Sequence, residues 1–364
     1  MIPTRYGPRE QSVAVDIREV ARRSGVSMAT VSRALNGRPD VSAATRSRIE
    51  EIARRLGYAP NQQARALVRR RSDMVGLIWD TSYVETKGRS PFLSDMLVGL
   101  KMALADTGYH LMLLSPQAAD HGVNAFVQAA MQHGLDGVVL MGVDADLPAL
   151  AALINSGRPC VGLDLPVQGS RASYVSSDNV AGAGTAVRHL HGLGHRRIAT
   201  ILGPQSMMAA SDRLAGYQAV MGELGLDVPD GYLQEGDFFR ESGYTSMQAL
   251  LALKKPPTAV FAAGDEMAVG AMQAAIDAGL EIARDISIVG YDDIELASIV
   301  RPSLTTVSQD YLAIGAAAVT LLTQIIDGEL DTPQPVHVPG QLLVRDSAGP
   351  VRAAQRRARK ASAL

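Results

Sequence analysis

The stretch VSMATVSRALNGRPDVSAATRSRIEEIARRLGYAPN, Val26–Asn61, decides how this chain is read. Its small apolar residues recur at helical spacing, yet Thr30, Ser32, Arg33 and Asn36 cannot all be packed away with them. Just upstream, Ile17, Val20 and Ala21 fall at i, i+3 and i+4, which predicts a short amphipathic helix over Asp16–Ser24 with Asp16 as its N-cap. Gly25 ends that helix, and a tight turn leads to Ser27, whose side chain caps a second helix over Met28–Asn36. Val31, Ala34 and Leu35 form its inward face, leaving Met28, Ala29, Thr30, Ser32, Arg33 and Asn36 outside or at the ends. A third helix starts after Ser42, buries Ile49, Ile52, Ala53 and Leu56, and stops at Gly57. Two short helices joined by a glycine turn and backed by a third make a helix-turn-helix. The second helix of such a unit fits the DNA major groove, where hydroxyls meet phosphates and Arg33 can span guanine O6 and N7. A purely structural three-helix bundle is the competing reading.

Charge separates the two. The chain has 364 residues and a net charge of only -2, but residues 1–72 carry fifteen arginines and six acids, a net +9. Residues 345–364 add +5, so the body between them holds -16. A basic module on an acidic body points to a polyanionic partner. The hydrophobic fraction of 47% suffices for globular packing, and the length implies two or three domains. There is no apolar run long enough to span a bilayer and no basic-then-apolar leader, so a cytoplasmic, nucleoid-associated chain with no membrane partner is expected. The single Cys160 rules out an internal disulfide and a cysteine-rich metal site.

Beyond the third helix, Pro60 opens a short helical stretch over Asn61–Leu67, followed by three consecutive arginines. A helix of that length is marginal alone and needs something to order it, and DNA is one candidate. An exposed Leu67 there has the character of a minor-groove wedge, and a plain basic linker is the alternative.

The rest of the chain alternates short apolar runs with helical patterns. The runs are Val75–Trp79, Leu111–Leu114, Gly137–Met141, Cys160–Leu163, Ile198–Leu202, Ala259–Ala262 and Ile286–Val289, and the helices include Leu93–Thr107 and Met267–Gly279. This predicts an α/β fold of parallel doubly wound sheets, two of them on length. Ligands of such sheets bind beyond the carboxyl ends of the strands. Those positions hold Trp79 and Asp80, Asp164, Gly264 and Asp265, and Tyr291, Asp292 and Asp293. Carboxylates without clustered lysines, beside the single Trp, favour a neutral polyhydroxy ligand over a phosphate. Capping a helix is an equal reading for Asp178 and Asp265.

The words ATVSRALN and LGYAPN in the first domain, with SSDNVAGAGTAVRHLHGLGHRRIATILGP, RLAGYQ, VFAAGDEMAVGAM, DISIVGYDD and RPSLTTVSQD in order behind them, resemble the lactose/galactose repressor (LacI/GalR) family over about residues 14–347. The resemblance implies a periplasmic-binding-protein-like core of two lobes crossed three times by the chain, regulating transcription as a homodimer on double-stranded operator DNA. It implies base or phosphate contacts by Met28, Ala29, Thr30, Ser32, Arg33 and Asn36, with Met28 and Ala29 setting operator preference. Ser27 and Arg65 join the DNA-contacting set, Tyr58 and Asn61 anchor phosphates, and Leu67 is the wedge. In the core it implies that Asp164, Arg213 and Asp292 bond the hydroxyls of a sugar effector, Phe92 closes one wall, and Trp79 and Asp80 complete the cleft. Where the family often has Asn, this chain has Gly264, which removes a hydroxyl contact and leaves room for a disaccharide or glucoside.

The expected boundaries are a flexible arm over 1–13, the helix-turn-helix over 14–58, and a hinge helix and linker over 59–72. One lobe takes 73–176 with 308–337, the other 177–307 with 338–347, and a disordered basic tail closes the chain over 348–364. The tail has no leucine heptads, so a dimer is expected and not a coiled-coil tetramer. GAGTA at Gly182–Ala186 lacks the third glycine of a dinucleotide fingerprint and reads as helix packing. His189, His191 and His195 lack the alignment and the further ligand that zinc needs. No nucleophile motif or P-loop occurs, so no enzyme activity and no cofactor are expected. A response to a phosphosugar or corepressor remains open. A transport solute-binding protein would share the core but has no use for the DNA-binding domain.

Overall fold

The computed structural model describes residues 15–58, 71–79, 91–114 and 122–351, apart from the side chains of 91–93. The chain divides into two compact units, Met1–Asp73 and Met74–Leu364.

In the first unit α1 is Ile17–Ser24, α2 Met28–Leu35 and α3 Ala43–Leu56. Each begins on the side chain that the sequence supplies. Asp16 accepts from the Arg18 and Glu19 amides, Ser27 from Thr30 and Ser42 from Thr45. Each such cap is worth about 1 kcal/mol. Gly25 and Gly57 end α1 and α3 at φ +65° and +68°, the left-handed geometry that glycine adopts without steric cost. Val20, Ala21, Val31, Ala34, Val41, Ile49 and Ala53 form the small core, with Leu35, Ile52 and Leu56 half-buried around it.

The second unit contains two six-stranded sheets. The first is built from β1 (Met74–Trp79), β2 (His110–Leu114), β3 (Gly137–Met141), β4 (Cys160–Leu163) and β5 (Ala172–Ser177). Between its strands lie α4 (Pro91–Ala105), α5 (Ala125–Gln132) and α6 (Pro148–Asn155). The second uses β6 (Ile198–Ile201), β7 (Leu233–Gln234), β8 (Ala259–Ala262), β9 (Ser287–Asp292) and β10 (Thr305–Ser308). It is covered by α7 (Asn179–Gly192), α8 (Met208–Glu223), α9 (Arg240–Leu251), α10 (Asp265–Asp277) and the short α11 (Glu295–Ile299). The chain then returns through α12 (Tyr311–Asp327) and β11 (Val336–Val338) and ends its strands with β12 (Gln341–Leu343).

Strand order is β11-β5-β4-β3-β1-β2 in one sheet and β12-β10-β9-β8-β6-β7 in the other. All neighbours are parallel except β12, which runs antiparallel to β10. Both sheets therefore reverse direction of growth beside their first strand, between β1 and β3 and between β6 and β8. A crevice opens there beyond the carboxyl ends of the strands. The helices bury both faces of each sheet, which is why β1, β3, β4 and β8 are apolar throughout.

Three short segments join the lobes: Ser177 to Asn179, Ser308 to Tyr311 and Val338 to Gln341. The Asp178 amide donates to Val338 O at 2.8 Å, tying the first crossing to the third. The segment after β12 continues as a strap on the second lobe, with Gly349 N–H donating to Ser287 and Val351 N–H to Leu193 O. It is thus ordered four residues into the stretch read as a disordered tail, because buried Ser287 and His195 supply its hydrogen bonds.

Candidate effector cleft and DNA-binding face

On α2, Met28 is 49% exposed and Arg33 extends to Asp40, with 3.1 Å between Nη1 and Oδ2 and both side chains about half in solvent. A pair that open gives up little when a guanine replaces the carboxylate. Ser27 and Thr30 share a hydroxyl contact at 2.9 Å, and Asn36 Nδ2 donates to Ser32 Oγ at 3.3 Å. Ala29 is exposed beside Met28. Tyr58 packs half-buried against the small core, and its N–H donates to Ala53 O at 2.9 Å. Asn61, Arg65 and Leu67 lie outside the described residues.

The cleft is organised around Arg213 on α8, 3% exposed. Its Nε donates to Asn179 Oδ1 at 2.8 Å and its Nη1 to Ala263 O at 2.6 Å, while Nη2 stands 3.2 Å from Asp292 Oδ1. The guanidinium lies 3.7 Å from the centre of the Tyr291 ring and 5.9 Å from that of Phe238. Burial alone would lower its pKa, but Asp292, Tyr291 and Asp164 outweigh burial and hold it above the usual range. Asp292 in turn accepts from Gln309 Nε2 at 2.7 Å, and its backbone carbonyl accepts from Tyr311 OH at 2.7 Å. Burial raises the Asp292 carboxyl against the opposing pull of Arg213 and Gln309.

Asp164 follows β4 with φ +48° and is the site's unpaired acid. Both carboxyl oxygens are buried, no side chain among the described residues bonds to either, and the Ser177 backbone N–H is the hydrogen-bonding group that acts on the carboxyl. Burial pushes this group up to about 6, with Arg213 pulling down and Asp292 pushing up. Trp79 Nε1 at the end of β1 and Gln309 Oε1 are also buried without partners. Two acceptor oxygens, a donor N–H and an amide oxygen are the complement a polyhydroxy ligand needs.

Sequence reading brought Trp79, Asp164, Arg213 and Asp292 to attention, and it missed Asn179, Phe238 and Gln309. Asp80 lies outside the described residues, and Phe92 falls in the first turn of α4. At Gly264 the space is already taken. A Cβ there would meet Phe238 Cδ1 at 3.2 Å and Asp292 Oδ2 at 3.5 Å. Phe238, itself at φ +68°, fills what the missing side chain would leave, which corrects the expectation of extra room. Asp265 neither faces the cleft nor caps its helix. Fully buried, it accepts from Thr306 Oγ1 at 2.6 Å and from the Ile294 amide at 3.1 Å, bracing β10 against α11. Asp293 pairs with Arg345 at 2.5 Å, and Asp178 caps α7 through the Ala181 amide. Gly182 of GAGTA admits Tyr291, whose hydroxyl oxygen would stand 2.5 Å from a Cβ there, so that motif supports the floor under Arg213. His195 bonds Thr258, Ser287 and Gly349 O, a structural role. Among the described residues no three potential metal ligands come together.

Comparison with known proteins fits this geometry. Residues 16–61 match the profile of bacterial regulatory proteins of the lacI family, and residues 187–348 match a periplasmic binding protein-like domain. The HTH-type transcriptional regulator CelR of Thermobifida fusca is 36% identical over 330 residues, which span 90% of this chain and 96% of that protein. The chain belongs to the LacI family. It is accordingly a DNA-binding transcriptional regulator and not an enzyme. Another LacI-family relative, the ribose operon repressor of Escherichia coli (strain K12), is 33% identical over 333 residues, 91% of this chain and 99% of that one. Among solved structures, the lac repressor dimer bound to operator and the anti-inducer ONPF superposes with TM-score 0.78 at 29% identity, covering 92% of this chain and 99% of that one. The CelR–cellobiose complex gives 0.69 at 32% identity, covering 92% and 100%.

Proposed function

We propose that this LacI-family protein is a repressor of sugar uptake and catabolism genes, released from its operator by an uncharged disaccharide or glucoside. Charge in the cleft carries the reading of the effector. Asp164 and Asp292 face one guanidinium, and all three of its nitrogens are engaged with Asn179, Ala263 and Asp292. A phosphate would have to displace those partners and approach two carboxylates, whereas hydroxyls can donate to Asp164 at no such cost. A phosphosugar is therefore disfavoured. The CelR complex supports cellobiose as the first ligand to try.

The protein would act in the cytoplasm, on the nucleoid, as a homodimer placing two copies of α2 on the half-sites of a pseudo-palindromic operator. Met28 and Ala29 read the bases together with Arg33. Thr30, Ser32 and Asn36 contact bases or phosphates, Ser27 and Arg65 also contact the DNA, Tyr58 and Asn61 anchor phosphates, and Leu67 wedges the minor groove. Lobes composed of 73–176 with 308–337 and of 177–307 with 338–347 would close on the effector, and closure would separate the hinge segments 59–72.

Trp79 is the only tryptophan, so its emission reports the cleft without a label. Titration of the full-length protein with cellobiose, ribose and glucose 6-phosphate should give a saturable change with cellobiose and none with the phosphosugar. A saturable response to the phosphosugar alone would overturn the effector class.

A further inference from the structure

Asp164 sits where the two lobes meet, directly after β4. Its two carboxyl oxygens are buried, no side chain among the described residues bonds to either, and of the backbone only the Ser177 N–H on β5 acts on the carboxyl, pulling it down. The groups acting on it come from several elements. From α8 come Arg213, already held by Asn179, Ala263 and Asp292, and Asp212, itself raised by burial with His337 pulling it down. From β9 come Asp292 and Tyr291, and Tyr311 at the start of α12 shares the same field of Asp292 and Arg213. Asp80 lies outside the described residues. Around Asp164 itself, the carboxylates outnumber the one guanidinium.

We propose that in acid the cleft takes up its effector in exchange for a proton: at low pH Asp164 is protonated in the empty cleft, and it ionises when ligand hydroxyls donate to its two oxygens. This rests on the reading of the cleft as a sugar site. The O–H bond of the carboxyl breaks, its electron pair stays on the oxygen, and the proton passes to bulk water. Two O–H donors from the ligand then stabilise the carboxylate, so its proton affinity is lower in the complex than in the free protein. Acidification therefore weakens the effector and returns the repressor to its operator. With the free carboxyl pushed up to about 6, the exchange is an acid-side effect that fades towards neutral pH.

In the free protein Asp164 is raised from its ordinary 3.8 to about 6, so its contribution to folding is present below 3.8 and lost as pH rises through about 6. Asp164→Asn removes that titration, and Asn tolerates the positive φ that the position requires. The melting temperature of the variant relative to wild type should climb between pH 5 and pH 7.5 with no ligand present. For binding, cellobiose calorimetry on the full-length protein should show the association constant falling below pH 6, approaching about tenfold per pH unit. At pH 5, buffers of different ionisation enthalpy should report most of one proton released per protomer, falling towards none at pH 7.5, and Asp164→Asn should abolish both slope and release. A pH-independent affinity in the wild type, or a slope retained by the variant, would overturn the proposal. If cellobiose fails to bind at every pH, the reading of the ligand fails separately. The ligand-free melting comparison then decides the proposal, and parallel curves for the two proteins would overturn it.

Discussion

Arg213 balances the charge of the cleft, and its side chain is almost wholly buried. Removing it leaves Asp164 and Asp292 facing each other in a low-dielectric pocket. Breaking such a buried pair from one side costs about 3–5 kcal/mol. Arg213→Ala should accordingly lower the unfolding free energy obtained from urea titration by that much and abolish the effector response, and an unchanged midpoint would show the pair to be dispensable. On the DNA face, Arg33→Ala should relax base discrimination by about 1–3 kcal/mol in competition binding with single-base operator variants. Equal preference in wild type and variant would remove Arg33 from the readout. Arg213 and Asp292 were legible because they sit in the motifs RLAGYQ and DISIVGYDD, whose resemblance to a family points at them, and Asp164 because it directly follows the apolar run Cys160–Leu163. Phe238 was not. It reaches the cleft from a loop through a backbone angle of φ +68°, and no periodicity encodes that turn. Gln309 and Asn179 escaped for a related reason, since each matters through one long-range hydrogen bond.

At the level of elements, the three helices of the first unit followed their caps. Asp16, Ser27 and Ser42 bond where helix-start chemistry requires, and Gly25 and Gly57 stop the chain where expected. Their shared core is small, so each residue counts. Ile49 is fully buried, and Ile49→Ala should cost about 2–5 kcal/mol and uncouple DNA binding from an otherwise folded second unit. Circular dichroism melting in parallel with effector titration checks this, and simultaneous loss of both activities would contradict independent units. The apolar strands β3, β4 and β8 were evident as runs. The polar ones were not. β5 reads ASYVSS and β10 reads TTVS, yet Ser173, Ser176, Ser177, Thr305 and Thr306 are buried there. Tertiary hydrogen bonds such as that from Thr306 to Asp265 replace the hydrophobic signal that sequence reading depends on.

Across the whole molecule, a +9 segment precedes a body of opposite sign, and the three crossings converge on the cleft. Gln309 in the second crossing holds Asp292, and Asn179 after the first holds Arg213. Any ligand that alters this ion pair therefore bears directly on the segments that join the lobes. Only a ligand with different affinities for two lobe arrangements can shift their balance. Operator binding should fall by about 10³-fold or more between 50 and 200 mM salt, as the arginine content of the first unit implies, and a flat salt dependence would contradict a phosphate-anchored interface. The most direct test of the account is fluorescence anisotropy of a labelled duplex from upstream of neighbouring sugar genes, bound by the full-length protein and then titrated with cellobiose. Cellobiose should dissociate a high-anisotropy complex, with Asp292→Ala bound to the duplex but unresponsive. A complex that no uncharged sugar disturbs, but that a phosphosugar releases, would contradict it.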